Sequence, residues 1–84
     1  MCTAMQKDPK LTFGDNLRRF RKVQGLSQEK LGEYAGLHRT YVGAVERGER
    51  NISLENIVRL ARALKITAAQ LLQGTGYDGS SCDE

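Results

Sequence analysis

Three side chains in succession, Arg39, Thr40 and Tyr41, follow the triplet Gly36-Leu37-His38. Arginine can reach the O6 and N7 of guanine with two parallel donors, and threonine offers a hydroxyl or a methyl group to a base edge. In the first turn of a helix that enters a major groove N-terminus first, Arg39 and Thr40 project ahead of the axis and meet bases. Ala44 and Gly43, expected on the outward side of the same helix, are small enough to let its backbone approach DNA closely, with Ala44 among the base contacts. Around them stand candidates for the phosphate backbone: Gln28, Tyr41, Arg47, Arg50 and Asn51. Contacts of that kind set position and affinity rather than sequence. Gln28 is helped by the free N–H groups and partial positive charge of a helix start.

Other chemistry is poorly provided for. His38 is the single histidine, and no second histidine or inward pair of carboxylates completes a general acid and base arrangement, so no catalytic residue is expected. Cys2 and Cys82 lie at the extreme ends, outside any periodic segment, which speaks against a disulfide framework and a zinc site. No glycine-rich loop follows a strand, and no cofactor is expected. No apolar run approaches the roughly 20 residues that cross a bilayer, and MCTAMQKDPK lacks an apolar signal region, so a cytoplasmic protein without membrane contact is expected. The charge is uneven: residues 1–73 carry 13 basic and 7 acidic groups, a net of +6, and the remaining acids fall in the last eleven residues. A body so basic suits a polyanionic partner.

The elements that must position these residues are helical. An 84-residue chain holds one core, and Leu, Val and Ile supply most of its apolar set, which favours an all-α bundle of five helices. Residues 1–11 show no period and read as a flexible arm. Thr12 with Asp15 makes a capping-box-like start to helix 1, whose Phe13, Leu17 and Phe20 recur at helical spacing until Gly25 ends it. Ser27 caps helix 2, Gly36 supplies the left-handed residue of a sharp turn, and helix 3 runs from about Arg39 to Arg47 with His38 at the N-cap position. Leu31, Ala35, Leu37, Val42 and Val45 then fall where two crossed helices bury one another, which is a helix-turn-helix. Ser53 opens helix 4, with Ile57, Leu60, Ala61 and Leu64 inward, and Thr67 with Gln70 opens a short helix 5. Arg21 and Glu46 stand at the edges of the buried faces of helices 1 and 3, placed for an ion pair that fixes their angle. Ile66, Leu71 and Leu72 exceed what one small core needs and are expected in a dimer interface. The Gly-, Ser- and acid-rich residues 74–84 are expected to form a disordered tail.

Residues 12–73 together resemble the phage-repressor (Cro and C1-like) helix-turn-helix family. The resemblance is carried by LSQ at Leu26 to Gln28, AGL at Ala35 to Leu37 and ERG at Glu46 to Gly48, all at the expected separations. Within that family, GLHRTYVGAVERGERNISL is most similar to the controller proteins of restriction-modification systems. The resemblance implies a homodimer on a palindromic or near-palindromic operator in double-stranded DNA, with RNA polymerase a further partner for an activator. It also implies base contacts from Arg39 and Thr40, DNA-holding roles for Tyr41, Arg50 and Gln28, and the pairing of Arg21 with Glu46. His38 departs from the Asp or Ser usual before this arginine, and the acidic tail is outside the shared pattern. Two other readings stand beside the controller: a prophage-type repressor of the same fold, and an antitoxin-like module that holds a protein partner through helices 4 and 5.

Overall fold

In a computed structural model, residues 8–76 are described, and they contain five helices: α1 Pro9–Val23, α2 Gln28–Ala35, α3 Arg39–Glu46, α4 Leu54–Leu64 and α5 Ala68–Leu72. Among the described residues there is no strand, and no helix is long and apolar enough to cross a membrane.

The start of α1 differs from the sequence expectation. Asp8 is its N-cap, with a carboxylate that accepts from the Lys10 backbone N–H at 2.9 Å, and Pro9 stands at the first helical position. Proline loses nothing there, because its missing N–H would have no helical partner. The Thr12 and Asp15 pair therefore lies inside the helix, and residues 9–11, expected in a flexible arm, are helical. The hydrogen bond from Lys10 holds the Asp8 carboxyl below its usual pKa. Residues 1–7, most of the expected tail, and both cysteines lie outside the described residues.

The other helix starts follow their caps. Ser27, Ser53 and Thr67 each accept from the backbone N–H three residues on, and Gln70 returns a contact to Thr67, which completes a capping box. At Gly36, with φ of 73°, the chain leaves α2, and Leu37 N–H bonds back to the Gly32 carbonyl at 2.8 Å. That closure is the tight turn between α2 and α3.

The core consists of Phe13 and Leu17 from α1, Leu31 and Ala35 from α2, Val42 and Val45 from α3, Ile57, Leu60, Ala61 and Leu64 from α4, and Leu71 from α5. Leu71 is fully buried within the single chain, so its expected place in a dimer interface is corrected. A helix of five residues anchored at Thr67 has one side to give the core, and Leu71 occupies it. Leu72, its neighbour in sequence, is left 37% exposed, and Ile66 is half-buried against the core.

Two contacts that join distant segments set how α1 lies on the rest. A Cβ built on Gly14 falls 2.5 Å from the Glu46 carbonyl oxygen and 2.6 Å from that of Val45, so only glycine lets α1 lie this close to the end of α3. Asn16 is buried and donates to the carbonyls of Leu71 and Gln73, both at 2.8 Å, satisfying the free carbonyls at the end of α5.

Candidate nucleic-acid interface

The inner side of α3 is held through one carboxylate. Glu46 is 2% exposed and receives Arg21 in a two-pronged pair, Nε to Oε2 at 2.6 Å and Nη2 to Oε1 at 3.0 Å. The remaining arm of Arg21 donates to the Leu26 carbonyl at 2.9 Å, and Gln28 Nε2 donates to Glu46 Oε1 at 3.0 Å. One buried acid thus ties α1, the turn after it, the first residue of α2 and the end of α3. A charge so buried is tolerable only when paired and hydrogen-bonded. Among the described residues, no buried side-chain nitrogen or oxygen lacks a partner.

The outer side of α3 is open. Gln28, Arg39, Thr40, Gly43 and Arg47 line a shallow hollow of about 280 Å³ where α2 begins beside α3. Arg39 and Thr40 are exposed, and no ion pair is found for Arg39 among the described residues. Ala44 is half-buried further along α3. Gly43 lies on the outward face, as expected, but is covered there: it is buried, and a Cβ on it would lie 3.2 Å from both Arg47 Nη1 and Gln28 Oε1. Its small size therefore serves the packing of Gln28 and Arg47 over the helix.

The expected phosphate contacts sit around this face with their donors partly committed. Gln28 has given one amide hydrogen to Glu46 and keeps the other. Tyr41 is half-buried, its hydroxyl oxygen accepts from Asn56 Nδ2 at 3.0 Å, and the Arg50 guanidinium stands 5.3 Å from its ring centroid. The Tyr41 hydroxyl proton is thereby free for an outside acceptor. Asn51 is exposed in the loop that leaves α3. Arg47 is exposed and held by Glu49, Nε to Oε2 at 3.0 Å and Nη2 to Oε1 at 3.2 Å. The same carboxylate raises the pKa of Arg47.

His38 caps α3. Its Nδ1 accepts from the Thr40 backbone N–H at 3.1 Å, the role that Asp or Ser fills at other helix starts.

Residues 17–71 match the protein family described as Helix-turn-helix. The chain belongs to that family. It is similar to Control protein C.SmaI of Serratia marcescens, 46% identical over 69 residues that make up 82% of each chain. Among solved structures it is similar to the restriction-modification controller protein C.AhdI from Aeromonas hydrophila, at 53% identity and a TM-score of 0.73 over 74% of this chain and 94% of that one. It is also similar to the P22 c2 repressor protein in complex with a synthetic operator, at 31% identity and a TM-score of 0.69, over 74% of this chain and 94% of that one. The helix-turn-helix of this chain is α2, the Gly36 turn and α3, and the hollow described above lies on its outer face.

Sequence reasoning missed Glu49, Asn56, Asn16 and Gly14 in this arrangement. Glu49 had a local signal, since an acid two residues beyond Arg47 is within reach of it. Asn56 had none, because its partner Tyr41 is 15 residues away and only the fold joins them.

Proposed function

We propose that this protein is a sequence-specific DNA-binding transcriptional regulator, the controller of a restriction-modification system, which acts in the cytoplasm as a homodimer on a near-palindromic operator. The observation that carries the reading is the α3 face. Its N-terminal side chains, Arg39 and Thr40, are exposed in a hollow flanked by Gln28 and Arg47, while its other end is locked through Glu46. A recognition helix needs that combination of a fixed axis and exposed tips.

In this reading Arg39 takes guanine O6 and N7, Thr40 a neighbouring base, and Ala44 an apolar contact such as a thymine methyl. Gln28, the Tyr41 hydroxyl, Arg50 and Asn51 hold phosphates on either side, and Arg47 joins them when it exchanges Glu49 for DNA. Leu72 and Ile66 remain for the dimer surface. Leu72 borders a largely apolar hollow of about 220 Å³ that Phe13, Ile52 and Ile57 also line. A twofold dimer places its two α3 helices about 34 Å apart, one turn of DNA.

The test is footprinting on the DNA upstream of the protein's own gene. A protected site with twofold symmetry, and an affinity that falls steeply with salt, is expected. Weak binding with no protected site would instead favour a module that holds a protein partner.

A further inference from the structure

The first turn of α3 fixes the direction of one hydroxyl proton. His38 Nδ1 lies 3.1 Å from the backbone nitrogen of Thr40 and 2.8 Å from its Oγ1. A backbone N–H can only donate, so the Nδ1 that receives it is unprotonated and the ring proton is on Nε2. An unprotonated Nδ1 has nothing to give a hydroxyl. At 2.8 Å the contact with the Thr40 hydroxyl is favourable only when the hydroxyl donates, its proton sharing the single lone pair of Nδ1 with the backbone N–H. What Thr40 Oγ1 has left for an incoming molecule is lone pairs.

We propose that His38 sets specificity by making Thr40 an obligate acceptor, so that Thr40 reads a major-groove amino group, N6 of adenine or N4 of cytosine, and rejects O6 of guanine and O4 of thymine. The inference rests on the DNA-binding reading and deepens it. A threonine with a free rotor serves donors and acceptors alike, and so discriminates little. Arg39 beside it carries donors only. The two tips of α3 thus have opposite hydrogen-bond polarity, and the DNA they fit must offer acceptors to one and a donor to the other. His38 is a positioning residue here, acting through the hydroxyl it orients.

The test uses the full chain and a site located by footprinting. Each position of one half-site is varied through the four bases, and the position whose preference disappears in Thr40→Val is taken as the Thr40 position. There one base pair should be favoured by about five- to tenfold, the scale of one net hydrogen bond, and the amino-bearing base of that pair, A or C on either strand, should carry the preference. Replacing the base by its analogue without the amino group, 2′-deoxynebularine for adenosine or a 2-pyrimidinone nucleoside for cytidine, should abolish the preference. His38→Ala should reduce it to less than about twofold, because the hydroxyl then rotates freely, and His38→Asn, whose side-chain oxygen also accepts, should restore it. Each figure compares two DNAs on one protein, so any loss of helix stability in the His38 variants cancels. Discrimination at the Arg39 position should persist throughout.

A preference at the Thr40 position that survives removal of the amino group would overturn the inference, as would an amino preference unchanged in His38→Ala. If no position responds to Thr40→Val while the site is still bound specifically, Thr40 reads no base and the inference fails alone. If no DNA is bound with any sequence preference, the DNA-binding reading fails first.

Discussion

Glu46 and Arg39 stand two turns apart on α3 and are treated in opposite ways. Glu46 is buried, with hydrogen bonds to α1 and α2, whereas Arg39 is exposed and outside every ion pair found among the described residues. The inner end spends its charge on fixing a helix that has only eight residues. The outer end is left uncommitted on a support that is already rigid. Binding then costs less ordering of the backbone, and the free side chains need displace only water. Arg47 is the intermediate case, facing outward but held by Glu49.

The contrast predicts that damage at the inner end destroys the fold and damage at the outer end destroys only recognition. The largest effect is expected for Glu46→Ala, which leaves Arg21 charged and nearly buried; loss of about 3–5 kcal/mol is expected in denaturant titration, enough to unfold a domain this small. A loss below about 1 kcal/mol would remove the Glu46 cluster from the account.

Gly14→Ala comes next. The added methyl meets the backbone carbonyls of Val45 and Glu46, which cannot rotate away, so a loss of about 1–3 kcal/mol from overpacking is expected in the same measurement. A neutral result would mean that α1 and α3 can separate without consequence for Glu46.

Glu49→Gln sharpens the comparison from the other side. Stability should be unchanged, while Arg47 is released to the face and one negative charge is removed from it. Affinity for unrelated DNA should rise a few-fold and its salt dependence should steepen, so that the ratio of specific to nonspecific binding falls. Unchanged affinity and salt slope would show that Arg47 stays away from phosphates.

What could be read from the sequence follows the range of the interactions. Ser27, Gly36, Ser53 and the Thr67 and Gln70 pair act on their own helix ends, and the helices begin and turn where they indicate. The pairing of Arg21 with Glu46 was legible because each residue adjoins an apolar position of its helix. The beginning of α1 was misread because Thr12 and Asp15 offered a local pattern as good as that of Asp8 and Pro9, and the carboxylate one turn earlier won. Leu71 and Leu72 could not be separated by type, since apolar periodicity in five residues does not say which side meets the core. Asn16 reaches carbonyls 55 and 57 residues away, and Gly14 is required by a backbone from another helix. Neither has a signature until the helices are placed.

The central claim is that the start of α3 reads bases while the rest of the surface holds the backbone. Arg39→Ala tests it most directly, with affinity for the footprinted site and for unrelated DNA measured at the same salt concentration. Specific binding should weaken by about 1–3 kcal/mol, and nonspecific binding should stay within about twofold. An equal loss on both DNAs would make Arg39 a phosphate contact and would contradict the account.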